Sequence, residues 1–148
     1  MQVKEIMSRN IKMIDSDVTL SEAADKMKIF DIGVLPIQEN NKIVGLITDR
    51  DIVIRAVAKG FDSRRTKVKE IMTTEIVSCN QNESLEEAAK LLEDKQVRRL
   101  LVLDDNNNPV GILAVSDLAR KSGDEHLAFE VLERVSSPAG QQKYASSR

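Results

Sequence analysis

The pentapeptide Val3-Lys4-Glu5-Ile6-Met7 occurs a second time, unchanged, as Val68-Lys69-Glu70-Ile71-Met72. At the same spacing, Thr19-Leu20-Ser21-Glu22-Ala23-Ala24 recurs as Ser84-Leu85-Glu86-Glu87-Ala88-Ala89. Self-similarity at a fixed period is typical of a duplicated structural unit. The chain is therefore predicted to contain two copies of one fold.

Further matches extend the duplication toward the end of each copy. One extra residue in the second copy, near Asn106, brings Gly45-Leu46-Ile47 into line with Gly111-Ile112-Leu113. The same shift aligns Asp51 with Asp117. Chance is a poor explanation for four blocks in one register, and together the two copies account for most of the chain.

Both copies carry the signature of a strand followed by a helix. After a helical turn at the pentapeptide, residues 11–14 and 76–79 are predicted strands. Thr19 and Ser84 are each followed three residues later by a glutamate, which is the spacing of a capping box. Apolar residues then recur at helical spacing and predict one buried face. They are Leu20, Ala23, Ala24 and Met27 in copy one, and Leu85, Ala88, Ala89 and Leu92 in copy two.

A hairpin and a second helix complete each copy. Strands at 34–37 and 43–47, and again at 100–103 and 110–113, flank turns rich in Asn and Asp. Because Pro36 cannot donate to a sheet ladder, it indicates an edge or irregular strand position. The second helix is predicted to run from about Asp49 to Ala58 and to end at Gly60, and its counterpart starts near Ser116. The predicted inner side of the first of these helices consists of Ile52, Val53, Ala56 and Val57.

These patterns give an α/β (α+β) chain with two β-α-β-β-α repeats. We place repeat one at residues 1–60, a linker at 61–67, repeat two at 68–122, a C-terminal helix at 123–136 and a disordered tail at 137–148. Arg64-Arg65-Thr66-Lys67 is interpreted as a solvated basic linker. The C-terminal helix carries an apolar stripe that would pack on its own module or on a second subunit. The stripe consists of Leu127, Val131, Leu132 and Val135.

Composition narrows the class of protein. Hydrophobic residues make up 41% and charged residues 31%, the balance of a soluble globular protein, and aromatics only 3%, so the core must be aliphatic. The net charge of -2 argues against a field that recruits nucleic acid or anionic lipid. The apolar runs are too short to cross a bilayer, and the first residues lack a signal-peptide pattern, so a cytoplasmic location without membrane partners is expected.

Catalytic chemistry lacks candidates in the sequence. The single histidine, His126, lies outside both copies and is interpreted as a surface residue. The single cysteine, Cys79, excludes an internal disulfide and is interpreted as a small strand residue. Neither a Ser-His-Asp set nor a metal-ligand cluster nor a Walker loop is visible. The sequence predicts that the chain is not an enzyme and has no metal site.

The repeated β-α-β-β-α order, the segment Val34-Leu35-Pro36-Ile37 and the segment Gly45-Leu46-Ile47-Thr48-Asp49-Arg50-Asp51 resemble the CBS domain, named after cystathionine β-synthase. The resemblance implies a pseudo-twofold pair with two clefts that take adenosine-containing ligands. AMP, ADP, ATP or S-adenosylmethionine are the expected ligands, and no cofactor is required. The resemblance further implies a homodimer and an effector protein that the sequence does not identify.

The first copy offers the clearer binding residues. Thr48 ends a strand and Asp51 lies in the first turn of the next helix, where free N–H groups favour phosphate. The Thr48 hydroxyl can donate to phosphate, and the Asp51 carboxylate matches the two hydroxyls of a ribose, its role in the family. The backbone of Gly33, Val34, Leu35 and Pro36 would face the adenine. Asp51 is also favourable as a plain helix-capping acid, so a structural role stays open.

The second copy departs from this pattern. Ala114 replaces Thr48, and Ser116, one residue before Asp117, offers a hydroxyl in a different register. Arg98 resembles a phosphate-contacting arginine of the family, with Arg99 beside it. Arg98 can equally be an exposed cation at a strand start, and the same alternatives apply to Arg50. We expect the Thr48/Asp51 cleft to bind better, and the second cleft to be weaker or anion-selective.

Three functions compete. The first is a regulatory module that senses an adenine nucleotide or related adenosyl ligand and passes its state to a partner. The second is an interaction scaffold with vestigial clefts, which Ala114 favours for half of the molecule. The third, nucleic-acid binding through the basic linker and the tail, is disfavoured by the acidic balance and by the scarcity of stacking aromatics.

Overall fold

The structure is a computed structural model that describes residues 1–136; the predicted disordered tail at 137–148 lies outside the described residues. The chain forms two compact units. The first unit is Lys12–Ile76, and the second joins Met1–Ile11 to the described chain from Val77 onward. Among the described residues no helix is both long and apolar enough to cross a membrane.

The first unit follows the predicted order. A three-stranded sheet has β2 in the middle, parallel to β1 and antiparallel to β3. The elements are β1 (Ile14–Asp15), α1 (Leu20–Phe30), β2 (Val34–Glu39), β3 (Lys42–Thr48) and α2 (Asp49–Asp51). Helix α2 continues without a break as a π turn, Ile52–Ala56, and a 3₁₀ turn, Val57–Lys59, which ends at Gly60 with φ of 75°.

The second unit repeats this order and adds a helix. Its sheet again has the order β4-β5-β6, parallel and then antiparallel. The elements are β4 (Ser78–Asn80), α3 (Leu85–Lys95), β5 (Arg99–Leu103), β6 (Pro109–Ala114), α4 (Val115–Lys121) and α5 (Glu125–Val135). The α/β prediction with two β-α-β-β-α repeats is confirmed.

The units exchange their opening segments relative to the sequence copies. The first pentapeptide forms the 3₁₀ turn Val3–Glu5 inside the second unit, and the second pentapeptide forms Val68–Glu70 inside the first. In the second unit, Ser8 and Ile112 exchange two backbone hydrogen bonds of 2.9 and 3.0 Å. Each unchanged pentapeptide therefore contributes to a hydrophobic core, with Val3 and Val68 fully buried.

Local signals at the helix and hairpin ends act as predicted. The Thr19 hydroxyl accepts from the Glu22 N–H at 3.3 Å, and the Glu22 carboxylate accepts from the Thr19 N–H at 3.4 Å. The hairpin between β2 and β3 turns at Asn40 and Asn41, whose φ values of 53° and 64° suit a type I′ turn.

Some sequence expectations are wrong in detail. Strand β1 begins at Ile14 rather than near residue 11, and β4 at Ser78 rather than near 76. Ala24 is exposed, so α1 buries only Leu20, Ala23 and Met27.

The second helix also buries less than its pattern predicts. Val53 and Val57 are 56% and 62% exposed, because the π turn changes the rotation of the helix and leaves Ala56 as the fully buried side chain. On α5, Leu132 is exposed, and Ala128 joins Val131 and Val135 in the core instead.

Pro36 lies on the central strand rather than at an edge. It pairs with Leu46 of β3, and the register shifts at Ile37 and Gln38, directly after it. In the second unit the corresponding Leu101 donates its N–H to Val77 at 3.0 Å, a bond that proline cannot make. The missing donor explains why β1 has two residues where β4 has three.

Candidate functional site

The corner between β3 and α2 holds Thr48 and Asp51 in a reciprocal cap. The Thr48 hydroxyl accepts from the Asp51 N–H, and the Asp51 carboxylate accepts from the Thr48 N–H, both at 3.0 Å. The Asp51 side chain is 15% exposed, and Arg55 lies 3.8 Å from its second oxygen. The cap fixes both side chains, and the Thr48 hydroxyl hydrogen stays available to an incoming oxygen because the hydroxyl acts only as acceptor in this bond.

The neighbouring strand brings Gly33 and Val34 to the same corner. Val34 pairs with Thr48, and the Asp49 N–H donates to the Gly33 carbonyl at 3.0 Å. A Cβ on Gly33 would lie 3.0 Å from a carboxylate oxygen of Asp49, so this glycine makes room for that acid. Of the other predicted site residues, Leu35 and Pro36 are buried in the unit, and Arg50 is exposed.

The equivalent corner of the second unit keeps the backbone and changes the side chains. The Val115 N–H donates to the Arg98 carbonyl at 3.0 Å, and the Ala114 N–H donates to Asp117 at 2.9 Å. Asp117 is 6% exposed and pairs with Lys121 at 3.4 Å. Like Asp51, Asp117 serves both a cap and an ion pair inside its unit, but its side chain is 8% exposed against 15% for Asp51.

A cavity of about 550 Å³ lies at this second corner, within the usual size of small-molecule sites. The residue before β5, strands β5 and β6 and helix α4 contribute Arg98, Arg99, Ala114, Val115, Ser116 and Ala119. Helix α5 contributes Glu125, Ala128, Phe129 and Leu132. The structure thus brings Arg98, Arg99 and Ser116 together around one hollow.

Sequence reasoning missed the contribution of α5 to this cavity. The apolar stripe predicted on α5 counted Leu132 among the packed residues and did not include Phe129. Phe129 and Leu132 lie on the other face and are exposed. Two large apolar residues on the solvent side of an amphipathic helix are the signal that would have drawn attention to a second use of α5.

The further groups with reactive chemistry are the single cysteine, the single histidine and the metal-ligating side chains. Burial, helped by the charge of Glu83, raises the pKa of Cys79 to about 12, so its thiol stays protonated and a weak nucleophile at neutral pH. His126 is exposed, as expected. Within residues 1–136 no group of three His, Cys, Asp or Glu side chains is placed to hold a metal ion.

The comparisons with known proteins agree with the duplicated fold. The family model described as the CBS domain matches residues 3–57 and again 68–124. The CBS domain-containing protein YhcV of Bacillus subtilis is 40% identical over 90% of this chain and 94% of its own length. Hypoxic response protein 1 of Mycobacterium tuberculosis is 33% identical over 91% of this chain and 94% of its own.

A solved structure of a hexameric CBS-CP12 protein from bloom-forming cyanobacteria superposes with a TM-score of 0.75 at 30% identity, over 83% of this chain and 72% of that one. Proteins of this stand-alone type are generally regulatory, and the matched family is not a catalytic one. With two family matches in register with the sequence repeat, the chain belongs to the CBS domain family as a tandem pair.

Proposed function

We propose that this chain is a regulatory, non-catalytic module that binds an adenine nucleotide or a related adenosyl ligand and passes its bound state to a separate effector protein. The observation that carries the proposal is the mutual cap of Thr48 and Asp51 at the end of β3, beside Gly33. It positions one hydroxyl and one carboxylate on a rigid corner, at the positions that match the family's ligand-binding motif. Ligand binding would act by favouring one of two conformations of the module.

The test is thermal melting in the presence of AMP, ADP, ATP, NADH or S-adenosylmethionine. A ligand at 100 times its Kd stabilises the folded state by about 2.7 kcal/mol. For a chain of this size, that corresponds to a rise in Tm of about 5–10 °C.

Asp51→Asn makes the test specific for the first corner. The amide oxygen can still accept from the Thr48 N–H, so the cap survives, while the negative charge and one acceptor are lost. We expect ligand affinity to fall about tenfold or more, since a hydrogen bond to a charged group contributes about 1.5–3 kcal/mol. Asp117→Asn is the matched control, and a larger loss in that variant would refute the ranking of the two corners.

A scaffold function is the second candidate, favoured by a specific observation. The first unit exposes the apolar side chains of Ile29, Val53 and Val57. Exposed apolar side chains are typical of protein-interaction surfaces. If no nucleotide changes the Tm and sedimentation shows self-association that Val53→Ser abolishes, the scaffold function replaces the sensor.

A further inference from the structure

We propose that helix α5 turns the second corner into a site for a small anion that carries a planar ring. In this site Arg98 and Arg99 pair with the anionic group, and Phe129 stacks on the ring. Helix α5 begins at Glu125, just beyond the family match that ends at residue 124. This wall is therefore an addition to the CBS fold, and it gives the second site a selectivity of its own.

The first argument is charge. Where the first corner has Gly33 beside the Asp49 carboxylate, the second has Arg98 beside Val115, on the same backbone hydrogen bond. An aspartate at position 115, like Asp49 in the first corner, could pair with Arg98. Val115 carries no charge and does not neutralise Arg98. Arg99, half-buried at the start of β5, adds a second positive charge to the same cavity.

Two side chains modulate this charge. Arg98 donates to the Ser136 hydroxyl at 3.4 Å, a long and neutral bond that leaves its positive charge in place. Glu125 supplies one carboxylate on the α5 side of the cavity. Two cations against one acid leave a net positive cavity, which attracts an anion.

The second argument is the aromatic wall. Phe129 is 66% exposed in a chain with only three phenylalanines, and it lines the cavity together with Leu132. An aromatic face presented to solvent beside a cationic group suits a planar ring joined to an anion, because ring stacking and ion pairing then act on one molecule.

The third argument is rigidity. The opposite face of α5 buries Ala128, Val131 and Val135, and Arg134 pairs with Glu93 at 3.2 Å. The helix is therefore anchored to the unit on one side while its other side presents Phe129. A ring that stacks on a fixed side chain loses less free energy to ordering than one that must immobilise a mobile wall.

The inference rests on the proposed function, because an adenine nucleotide is one example of a planar ring joined to an anionic group. The experiment separates the two by using 1-naphthyl phosphate, which has a planar ring and a phosphate but no adenosine, alongside AMP, adenosine and inorganic phosphate. We expect calorimetric titration to show that 1-naphthyl phosphate and AMP bind at least about tenfold more tightly than adenosine or phosphate alone.

Single substitutions assign the contacts. Phe129→Ala should weaken 1-naphthyl phosphate about three- to tenfold, the range of an aromatic contact, and leave phosphate unchanged. Arg99→Gln should weaken both about tenfold, and Glu125→Gln should tighten both. Phe61→Ala and Arg120→Gln, at exposed positions that do not line the cavity, are matched controls and should change neither affinity.

Each result decides. Absence of 1-naphthyl phosphate binding, or binding that Phe129→Ala leaves unchanged, overturns the inference; so does a Phe129→Ala variant that changes only the oligomeric state. AMP binding that depends on Asp51, without any Phe129-dependent binding of 1-naphthyl phosphate, overturns the inference while the proposed function stands. Phe129-dependent binding of 1-naphthyl phosphate without any binding of AMP supports the inference and removes adenine from the proposed function.

Discussion

Gly111→Ala tests the exchange of opening segments between the copies. A Cβ on Gly111 would lie 2.6 Å from the Met7 sulfur and 2.9 Å from the Ser8 carbonyl oxygen. The sulfur is the end of a flexible side chain and can move. The carbonyl cannot, because it accepts the Ile112 N–H in the bridge that holds the segment.

Two effects of opposite sign decide the magnitude. Overpacking of this kind costs about 1–3 kcal/mol. Replacing glycine with alanine restricts the unfolded chain and returns about 0.4–1 kcal/mol where the backbone suits alanine. The clash is larger, so we expect a net loss of about 1–2 kcal/mol and a Tm lower by about 2–8 °C.

The assay is guanidinium unfolding followed by circular dichroism, with Gly45→Ala as the internal replicate. Gly45 faces Met72 and Thr73 at the same 2.6 and 2.9 Å, so it should lose a similar free energy. Combining Gly111→Ala with Met7→Ala should cost about 0.5–1 kcal/mol less than the sum of the two single variants, because the sulfur clash is gone. A Gly111→Ala protein as stable as the parent would show that residues 1–11 do not pack on β6 in solution.

The other predictions concern a helix cap and an ion pair. Ala114→Thr should supply the hydroxyl that caps the Asp117 N–H, as Thr48 does for Asp51, and raise the free energy of unfolding by about 1 kcal/mol; an unchanged guanidinium midpoint would contradict the cap. Lys69 and then Lys67 hold the pKa of Asp17 below its usual 3.8, so these pairs stabilise the fold above that value and stop doing so as the pH falls through the lowered pKa. An NMR titration should place the Asp17 midpoint below 3.8, and Lys69→Met should raise it; a midpoint indifferent to Lys69→Met would rule out the pair in solution.

Local chemistry made much of the fold predictable. Capping boxes, Asn-rich turns and helical periodicity act within a few residues, so Thr19 and Asn40 could be assigned from their neighbours alone. The unit in which each pentapeptide packs could not be predicted, because it depends on contacts between residues far apart in sequence. Pro36 was open between an edge and an irregular position for a related reason: the cost of a missing N–H depends on which carbonyl faces it, and that partner belongs to another strand.

The candidate sites divide along the same line. The motif placed Thr48, Asp51 and Asp117 at their corners, since each lies within one strand-to-helix turn. What it could not give is which of their oxygens the fold already uses: each carboxylate accepts from its cap and pairs with a cation four residues on, Asp51 with Arg55 and Asp117 with Lys121. The expectation that the first corner binds better stays a prediction, because the accessible carboxylate lies in the first unit and the described cavity in the second.

The asymmetry lies in the side chains of the two corners and not in their backbones. Both corners keep the same backbone bond, from Asp49 to Gly33 and from Val115 to Arg98. The side chains on that backbone differ: an acid lies beside a glycine in the first corner, and an apolar residue lies beside a cation in the second. Two copies with one architecture and opposite local charge are suited to two different ligands, so the binding chemistry of each has to be argued from its own residues rather than transferred from one repeat to the other.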